Sequence, residues 1–417
     1  MPTQLFLLSG FGLLLSSPGL AKADEATFSV NGQARVMLEN YRTNSQSMLG
    51  ELNHAASTSG QTNEPGNHAW RLENEIKLQG KHWYATLSTQ LEQNTKAAWV
   101  EQTQLHQAYW SQESGAWQIN LGRKLISWDV GLGYRPNDMV QREQRRNLYS
   151  TTLSGKDLIS AEWFSATQAL ALVAWHNTNA DTEQAPVAYA LRYYQRLPSA
   201  DWYGFARYSR DQGISLGSAL SWVVNDALEF HTSLRLNQRN QIFRDQSLQL
   251  INASSPWRRQ EQQLQPQILL GATYTNQAQQ SWYLEYWYDG LALNRNDWRF
   301  WLQRQTDLRT ALRQKSYPSA VLVPQFAWQT QAFNQAENLR QHNVFVRWSQ
   351  QNEAWQSYAD LLWHPEDKGR IVTLGASWQG DKTRLEFGLR RYSGPDLAVT
   401  RQLNEASKAF VNLSWAY

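Results

Sequence analysis

Ala409-Phe-Val-Asn-Leu-Ser-Trp-Ala-Tyr417, the last nine residues of the 417-residue chain, decide the fold class. Side chains alternate sides along a strand, so Ala409, Val411, Leu413, Trp415 and Tyr417 share one face and Asn412 and Ser414 the other. An apolar face backed by a polar one and ended by aromatics suits a strand with lipid outside and water inside, the closing strand of a transmembrane β-barrel. Val411, Leu413, Trp415 and Tyr417 are therefore expected to be the signal that the barrel-assembly machinery reads. At the other end Leu5 to Leu20 form an apolar run followed by Ala21-Lys22-Ala23, which reads as a signal peptide over residues 1–23 cleaved before Asp24. No Lys or Arg precedes the run, so the amino terminus alone supplies the positive n-region. Secretion combined with a barrel strand gives the outer membrane of a Gram-negative bacterium as the expected location.

Composition agrees. The mean hydropathy is −0.62, and after the signal no apolar stretch of about 20 residues exists, which excludes membrane-spanning helices. A barrel needs apolar residues only at alternate positions, so it averages out hydrophilic. The 21 Trp and 18 Tyr suit interfacial girdles, where amphipathic rings collect. Cysteine is absent, consistent with a chain that crosses an oxidising compartment unfolded and is stabilised by a closed hydrogen-bond ladder. A net charge of +3 is too small and too scattered to imply nucleic acid, and none is expected as a partner.

From Phe28 onward, alternating segments of about ten residues recur, the length a tilted strand needs to span a bilayer. In the first, Phe28, Val30, Gly32, Ala34, Val36 and Leu38 oppose Asn31, Gln33, Arg35 and Glu39; in the second, Trp70, Leu72, Ile76 and Leu78 oppose Arg71, Glu73, Glu75 and Lys77. Charges on the inner face call for a water-filled interior. Residues 24–417 are expected to form an all-β, transmembrane, antiparallel up-and-down β-barrel of about 18 strands, or 16 if two short hairpins are misread. With the N-terminus periplasmic, tight turns such as Gly80-Lys81, Asn225-Asp226 and Gly380-Asp381 all fall on one side. The long connections 45–66, 128–156, 239–264 and 290–340 all fall on the other, the parity expected for periplasmic turns and extracellular loops.

Two outer loops carry candidate chemistry. The segment after the fifth strand contains Arg123, Asp129, Arg135, Asp138, Arg142, Arg145 and Arg146, with Gly131, Gly133 and Pro136 to turn it tightly. It is either an infolded constriction that selects solutes by charge or a surface loop facing solvent and lipopolysaccharide. In 290–340, Trp298, Trp301, Leu302, Gln305, Leu308 and Leu312 recur at helical spacing, so a short amphipathic helix that caps or plugs the mouth is expected. Strand parity turns Arg71, Lys77, Arg192, Arg235, Arg347, Arg384 and Arg390 inward, together with Glu73, Glu75, Glu162, Glu285, Asp360 and Glu386. Arg123, Arg135, Arg142, Arg145, Arg146, Asp129, Asp138, Arg235, Arg347, Arg384 and Arg390 are the candidate substrate path, either a basic track for anions or simply cross-strand charge pairs. His231 and Ser233 share a wall, but no motif for nucleophilic catalysis surrounds them, and no cluster has metal-ligand spacing; no catalytic residue, metal or other cofactor is expected.

Leu121-Gly-Arg-Lys124, leading to Trp128 and Pro136-Asn-Asp138, resembles the strand-to-loop segment of porin-like outer-membrane proteins of the alginate-export type. That resemblance implies a passive, arginine-lined conduit for an anionic solute or polysaccharide. The expected protein is an outer-membrane channel for small hydrophilic solutes, anionic ones included, or saccharides. The alternatives are a non-conducting structural or surface-binding barrel and, third, an outer-membrane hydrolase. Its expected partners are outer-membrane lipid, lipopolysaccharide and the assembly machinery.

Overall fold

The computed structural model describes residues 28–45, 47, 50–51, 67–94, 97–141, 153–176, 186–245, 247–334 and 337–417. The signal segment 1–23 lies outside the described residues. The barrel wall opens with β1 (Ser29–Thr43), β2 (His68–Gln79), β3 (Trp83–Asn94), β4 (Val100–Ser114), β5 (Trp117–Lys124) and β6 (Lys156–Phe164). It continues through β7 (Gln168–His176), β8 (Val187–Arg196), β9 (Ala200–Ser209), β10 (Gly213–Asn225), β11 (Leu228–Asp245) and β12 (Trp257–Thr275). β13 (Gln280–Asp289), β14 (His342–Asn352), β15 (Trp355–His364), β16 (Gly369–Gln379), β17 (Thr383–Ser393) and β18 (Glu405–Ala416) complete it. Each strand pairs antiparallel with its successor, and β18 pairs back onto β1, so the 18-stranded sheet is closed and has no free edge.

The alternation read from the sequence sets the two faces. Val36 sits between Leu413 on β18 and Leu72 on β2, and all three are exposed on the outer surface. Val411, Leu413, Trp415 and Tyr417 are likewise on the outside, and Asn412 and Ser414 take the opposite parity. At the end with short turns, Trp83, Trp117, Trp202, Trp222, Trp282, Trp355 and Trp415 form an outward ring, the placement expected of an interfacial girdle. The closing seam has its own fastening. Tyr417 exchanges both backbone hydrogen bonds with Gly32 (3.0 and 2.9 Å), and its ring lies across Gly32 so that its hydroxyl donates to Asn74 Oδ1 on β2 at 2.7 Å. A Cβ at position 32 would stand 2.2 Å from that ring, so any side chain there must displace it.

Two long connections differ from expectation. β11 and β12 run well past the predicted strands 227–238 and 265–275, so most of the predicted loop 239–264 is a hairpin rising above the wall. Gln260, Glu261, Gln262, Gln263 and Gln265 give its second arm no apolar alternation, and Leu264, with φ of 49°, interrupts the ladder at its base. The described residues of segment 290–340 hold three helices where one was expected: α1 (Arg295–Arg313), α2 (Ser319–Gln329) and α3 (Gln331–Asn334). α1 begins with a capping box in which the Asn294 side chain accepts from the Asp297 backbone N–H and Asp297 accepts from that of Asn294. Its Trp298, Trp301 and Leu308 are buried with Phe326 and Leu322 of α2, with Ile242 and Trp257 of the hairpin, and with Val399 from the β17–β18 connection. This cluster makes a cap over the mouth from the β11–β12 side to the β18 side, pinned at the far end by Arg309 to Glu51 (3.1 Å).

Candidate functional site

The barrel interior is divided by the segment after β5. Residues 125–141 do not pass over the rim; they turn into the lumen and pack on the inner wall from β7 round to β13. Apolar contact supplies the bulk. Ile126, Trp128, Met139 and Val140 are buried against Ala171, Val173 and Trp175 of β7, Ala188 and Ala190 of β8, Phe205 of β9 and Ala219 of β10. Small inward residues on β7, β8 and β10 let the loop lie close to the wall, and Trp128 stacks on Phe205 with centroids 6.4 Å apart.

Polar anchors then fix its position. Asn137 donates through Nδ2 to Ser233 Oγ on β11 (2.8 Å) and to Leu234 O (3.1 Å), and it occupies the space above Gly217, where a Cβ would fall 1.8 Å from its Oδ1. Ser233 in turn donates to Asp129 Oδ2 (2.9 Å), and Arg235 Nη1 donates to Pro136 O (3.0 Å). Glu285 on β13 receives the tip: its two carboxylate oxygens accept the Leu132 and Gly133 backbone N–H groups, each at 2.7 Å. The same carboxylate accepts from the Tyr283 hydroxyl (3.0 Å) and lies 3.2 Å from His231 Nε2, whose Nδ1 is 3.1 Å from Glu229. Tyr134 stacks on Trp287 at 5.7 Å and accepts from Gln267. Within the loop, Asp138 accepts from the Trp128 N–H (2.7 Å), the Asp129 N–H (3.1 Å) and the Ser127 hydroxyl, which makes the turn self-supporting. Burial raises both loop carboxyls. Asp129 is pushed up to about 6, hydrogen bonds from Asn137, Ser233 and Val130 only partly offsetting desolvation, and Asp138 is raised by burial against the opposing Arg135 charge.

The remaining arc of the lumen, β14 through β18 and on to β4, carries cations such as Lys77, Arg347 and Arg384 that keep contact with water, beside acids such as Glu73 and Glu75 that are buried. Side-chain exposure is 61% at Lys77 and 36% at Arg347, whereas Arg235 is 1% and Glu285 0% exposed beneath the loop. These charges are cross-strand or same-strand pairs: Arg35 with Glu73 (3.0 Å), Arg71 with Glu92 (3.3 Å), Lys77 with Glu75 (3.0 Å), Arg347 with Asp360 (2.8 Å) and Lys408 with Glu39 (3.3 Å).

The expected path residues therefore separate into groups. Arg347, Arg384 and Arg390 line the open arc; Arg347 pairs with Asp360, Arg384 with Glu386 at 4.0 Å, and Arg390 donates to Thr373 Oγ1 at 2.9 Å. Asp129, Asp138, Arg135 and Arg235 build and anchor the loop, Arg135 donating to Gly131 O and Ser127 Oγ, both at 2.6 Å. Arg123 is off the path. It shares parity with the outward Leu121 and forms a two-point pair with Asp157 (2.8 Å each), next to the outward Ile159, because odd positions of β5 and β6 point away from the lumen. Arg142, Arg145 and Arg146 lie outside the described residues. His231 and Ser233 share the inner wall as parity requires, yet the ring nitrogens face Glu229 and Glu285 and the hydroxyl serves Asp129, so the pair anchors the loop. Glu285, Gln267 and Asn137 were not singled out as anchors by sequence reading; inward parity marks Glu285 and Gln267 as lumenal, but nothing local marks either as the partner of a segment some 150 residues away.

No family profile and no curated protein matches the chain. Solved structures do. OccK11 (OpdR) of Pseudomonas aeruginosa superposes with a TM-score of 0.52 at 10% identity, covering 93% of this chain and 95% of that one. That likeness establishes a shared barrel fold. Mutant forms of the Rh. blastica porin match 94% of this chain and 100% of theirs with a TM-score of 0.42 at 10–12% identity, too loose a superposition to carry an argument.

Proposed function

We propose that this chain is an outer-membrane channel through which small hydrophilic solutes pass passively along the arc from β14 to β4, with residues 125–141 as its constriction. The observation that carries this reading is the infolded loop, anchored on Glu285, Ser233 and Arg235, facing an arc on which Lys77, Arg347 and Arg384 stay exposed to water. A filled scaffold gains nothing from leaving one arc lined with water-exposed Lys and Arg, since burying them apolar is equally stable or better. Small inward charges held in pairs hydrate a wall without giving it a strong sign, so among the described residues the lumen favours neutral or dipolar solutes and weak ion preference. An anionic preference of the alginate-export kind rests on Arg142, Arg145 and Arg146. Replacing those three with Ala should move the reversal potential in a salt gradient toward cations if they project into the passage; an unchanged potential assigns selectivity to the paired wall.

The cap formed by α1, α2 and the β11–β12 hairpin favours a second reading, a closed barrel that acts as a surface scaffold. Planar-bilayer recordings of the refolded chain separate the two. Steady current that rises when residues 127–139 are replaced by a short Gly-Ser linker supports the channel; silence in both forms supports the scaffold. Cleavage after Ala23, delivery by the assembly machinery through Val411, Leu413, Trp415 and Tyr417, and contact with lipopolysaccharide complete the proposal.

A further inference from the structure

Between the rising β11–β12 hairpin and α1 lies a cavity of about 640 Å³, large enough for one or two sugar rings. On its helical side Asn296, Arg299, Phe300 and Gln303 stand at helix spacings of three and four residues, so they form one stripe facing the hairpin. Its lip carries Leu248, an apolar side chain 92% exposed. Trp257 lines the hairpin side, where it is packed into the hydrophobic cluster of the cap and is only 4% exposed. Arg299 is exposed and, among the described residues, makes no hydrogen bond or ion pair, unlike Arg244 across the cavity, which is 3.2 Å from Asp297, and Arg304 behind it, which is clamped to Asp245.

We propose that this cavity is a binding site for a phosphorylated sugar. The flat ring of Phe300 and the exposed Leu248 offer apolar surface to the C–H face of a pyranose, the Asn296 and Gln303 amides match its hydroxyls, and the Arg299 guanidinium fork takes the phosphate. Two sources present this chemistry, a free sugar phosphate and the phosphorylated glycan of lipopolysaccharide. The cavity stands on its own geometry, apart from the lumen, and draws on the outer-membrane reading only for the second source.

The test uses the full chain refolded in detergent and titrated calorimetrically with glucose 6-phosphate, with glucose, and with lipopolysaccharide in detergent micelles. Glucose 6-phosphate should bind about tenfold or more tightly than glucose, Arg299→Gln should erase that difference, and Phe300→Ala, which removes the apolar platform, should weaken both sugars. Binding of lipopolysaccharide alone, lost in Arg299→Gln, also supports the site and assigns its occupant to the membrane glycan. Heat-modifiable mobility and conductance should match the parent chain in both variants, so a failure of the channel reading leaves this result intact. Absence of binding to both phosphorylated probes, or binding that survives both substitutions, overturns the proposal.

Discussion

Replacing Glu285 with Gln should release the tip of the constriction loop. The Glu285 side chain is fully buried and its two oxygens separately accept the Leu132 and Gly133 N–H groups at 2.7 Å. An amide keeps one acceptor but sets an N–H₂ against the second backbone donor, so one charge-assisted bond is lost and one donor is left facing another donor. With each bond to a charged acceptor worth about 1.5–3 kcal/mol and a buried unsatisfied donor costing about 1–3 kcal/mol, the docked loop should weaken by about 2–4 kcal/mol after water from the lumen relieves part of the loss. At about 1.4 kcal/mol per tenfold, the undocked population rises by about 30- to 1,000-fold. The chain has no cysteine, so Met139→Cys, at a position 5% exposed in the docked loop, gives a single reporter thiol. Its reaction rate with a water-soluble reagent should scale with the undocked fraction and rise by that factor in the Glu285→Gln background, while single-channel records gain excursions to a higher conductance. Equal labelling rates in the two backgrounds, with equal conductance, would refute the assignment of Glu285 as the loop's anchor.

Acid should tighten the same loop. Asp129 is raised to about 6 in the docked state, so between its ordinary value and about 6 the docked form holds more protons; the stabilisation is complete below the ordinary value and fades as pH rises through 6. The Met139→Cys labelling rate should therefore be slower at pH 5 than at pH 7.5, and Asp129→Asn should flatten that dependence; an unaltered slope in the Asn variant would remove Asp129 as its source. At the seam, Gly32→Ala should displace the Tyr417 ring and break its hydroxyl bond to Asn74, costing about 0.5–1.5 kcal/mol, read as a lower unfolding temperature of the heat-modifiable band. Tyr417→Ala should add little on top of it, whereas full additivity would mean that the two residues do not meet. On β17, Phe387 faces outward and Glu386 inward, so a cysteine at 386 should react from water and one at 387 should not, while Phe387→Arg should cost about 2–4 kcal/mol near the bilayer midplane. The reverse labelling pattern would shift the register of that strand by one residue.

The wall was legible because each strand writes its own instructions. Val36, Leu72 and Leu413 declare the outer face through two-residue alternation alone, and the parity of long and short connections fixes the even strand number. Neither needs knowledge of a distant partner. The interior was not legible for the same reason: Arg235 and Arg347 are both inward arginines in polar strands, and only the fold reveals that one holds Pro136 while the other pairs with Asp360. Parity could have excluded Arg123 from the path, since Leu121 two residues earlier marks the outer face, but its place beside a charged loop concealed this. Trp298, Trp301, Gln305 and Leu308 announced α1 by their spacing. α2 carries Pro324 inside it and a weaker polar face, so the same spacing argument passed over it.

A closed ring of strands is joined only neighbour to neighbour, about 4.8 Å apart, and such a ring resists stretching around its circumference far better than flattening into an ellipse. The loop between β5 and β6 changes that mechanics. By running from β5 to fixed points on β11 and β13 it acts as a chord, and it sets the distance between two walls that hydrogen-bond ladders leave free. The pair of bonds at Glu285 is the chord's outermost fastening. Flattening of the ring that moved β13 away from β5 would load that fastening, so the two bonds at Glu285 oppose a deformation that the strand ladders alone do not.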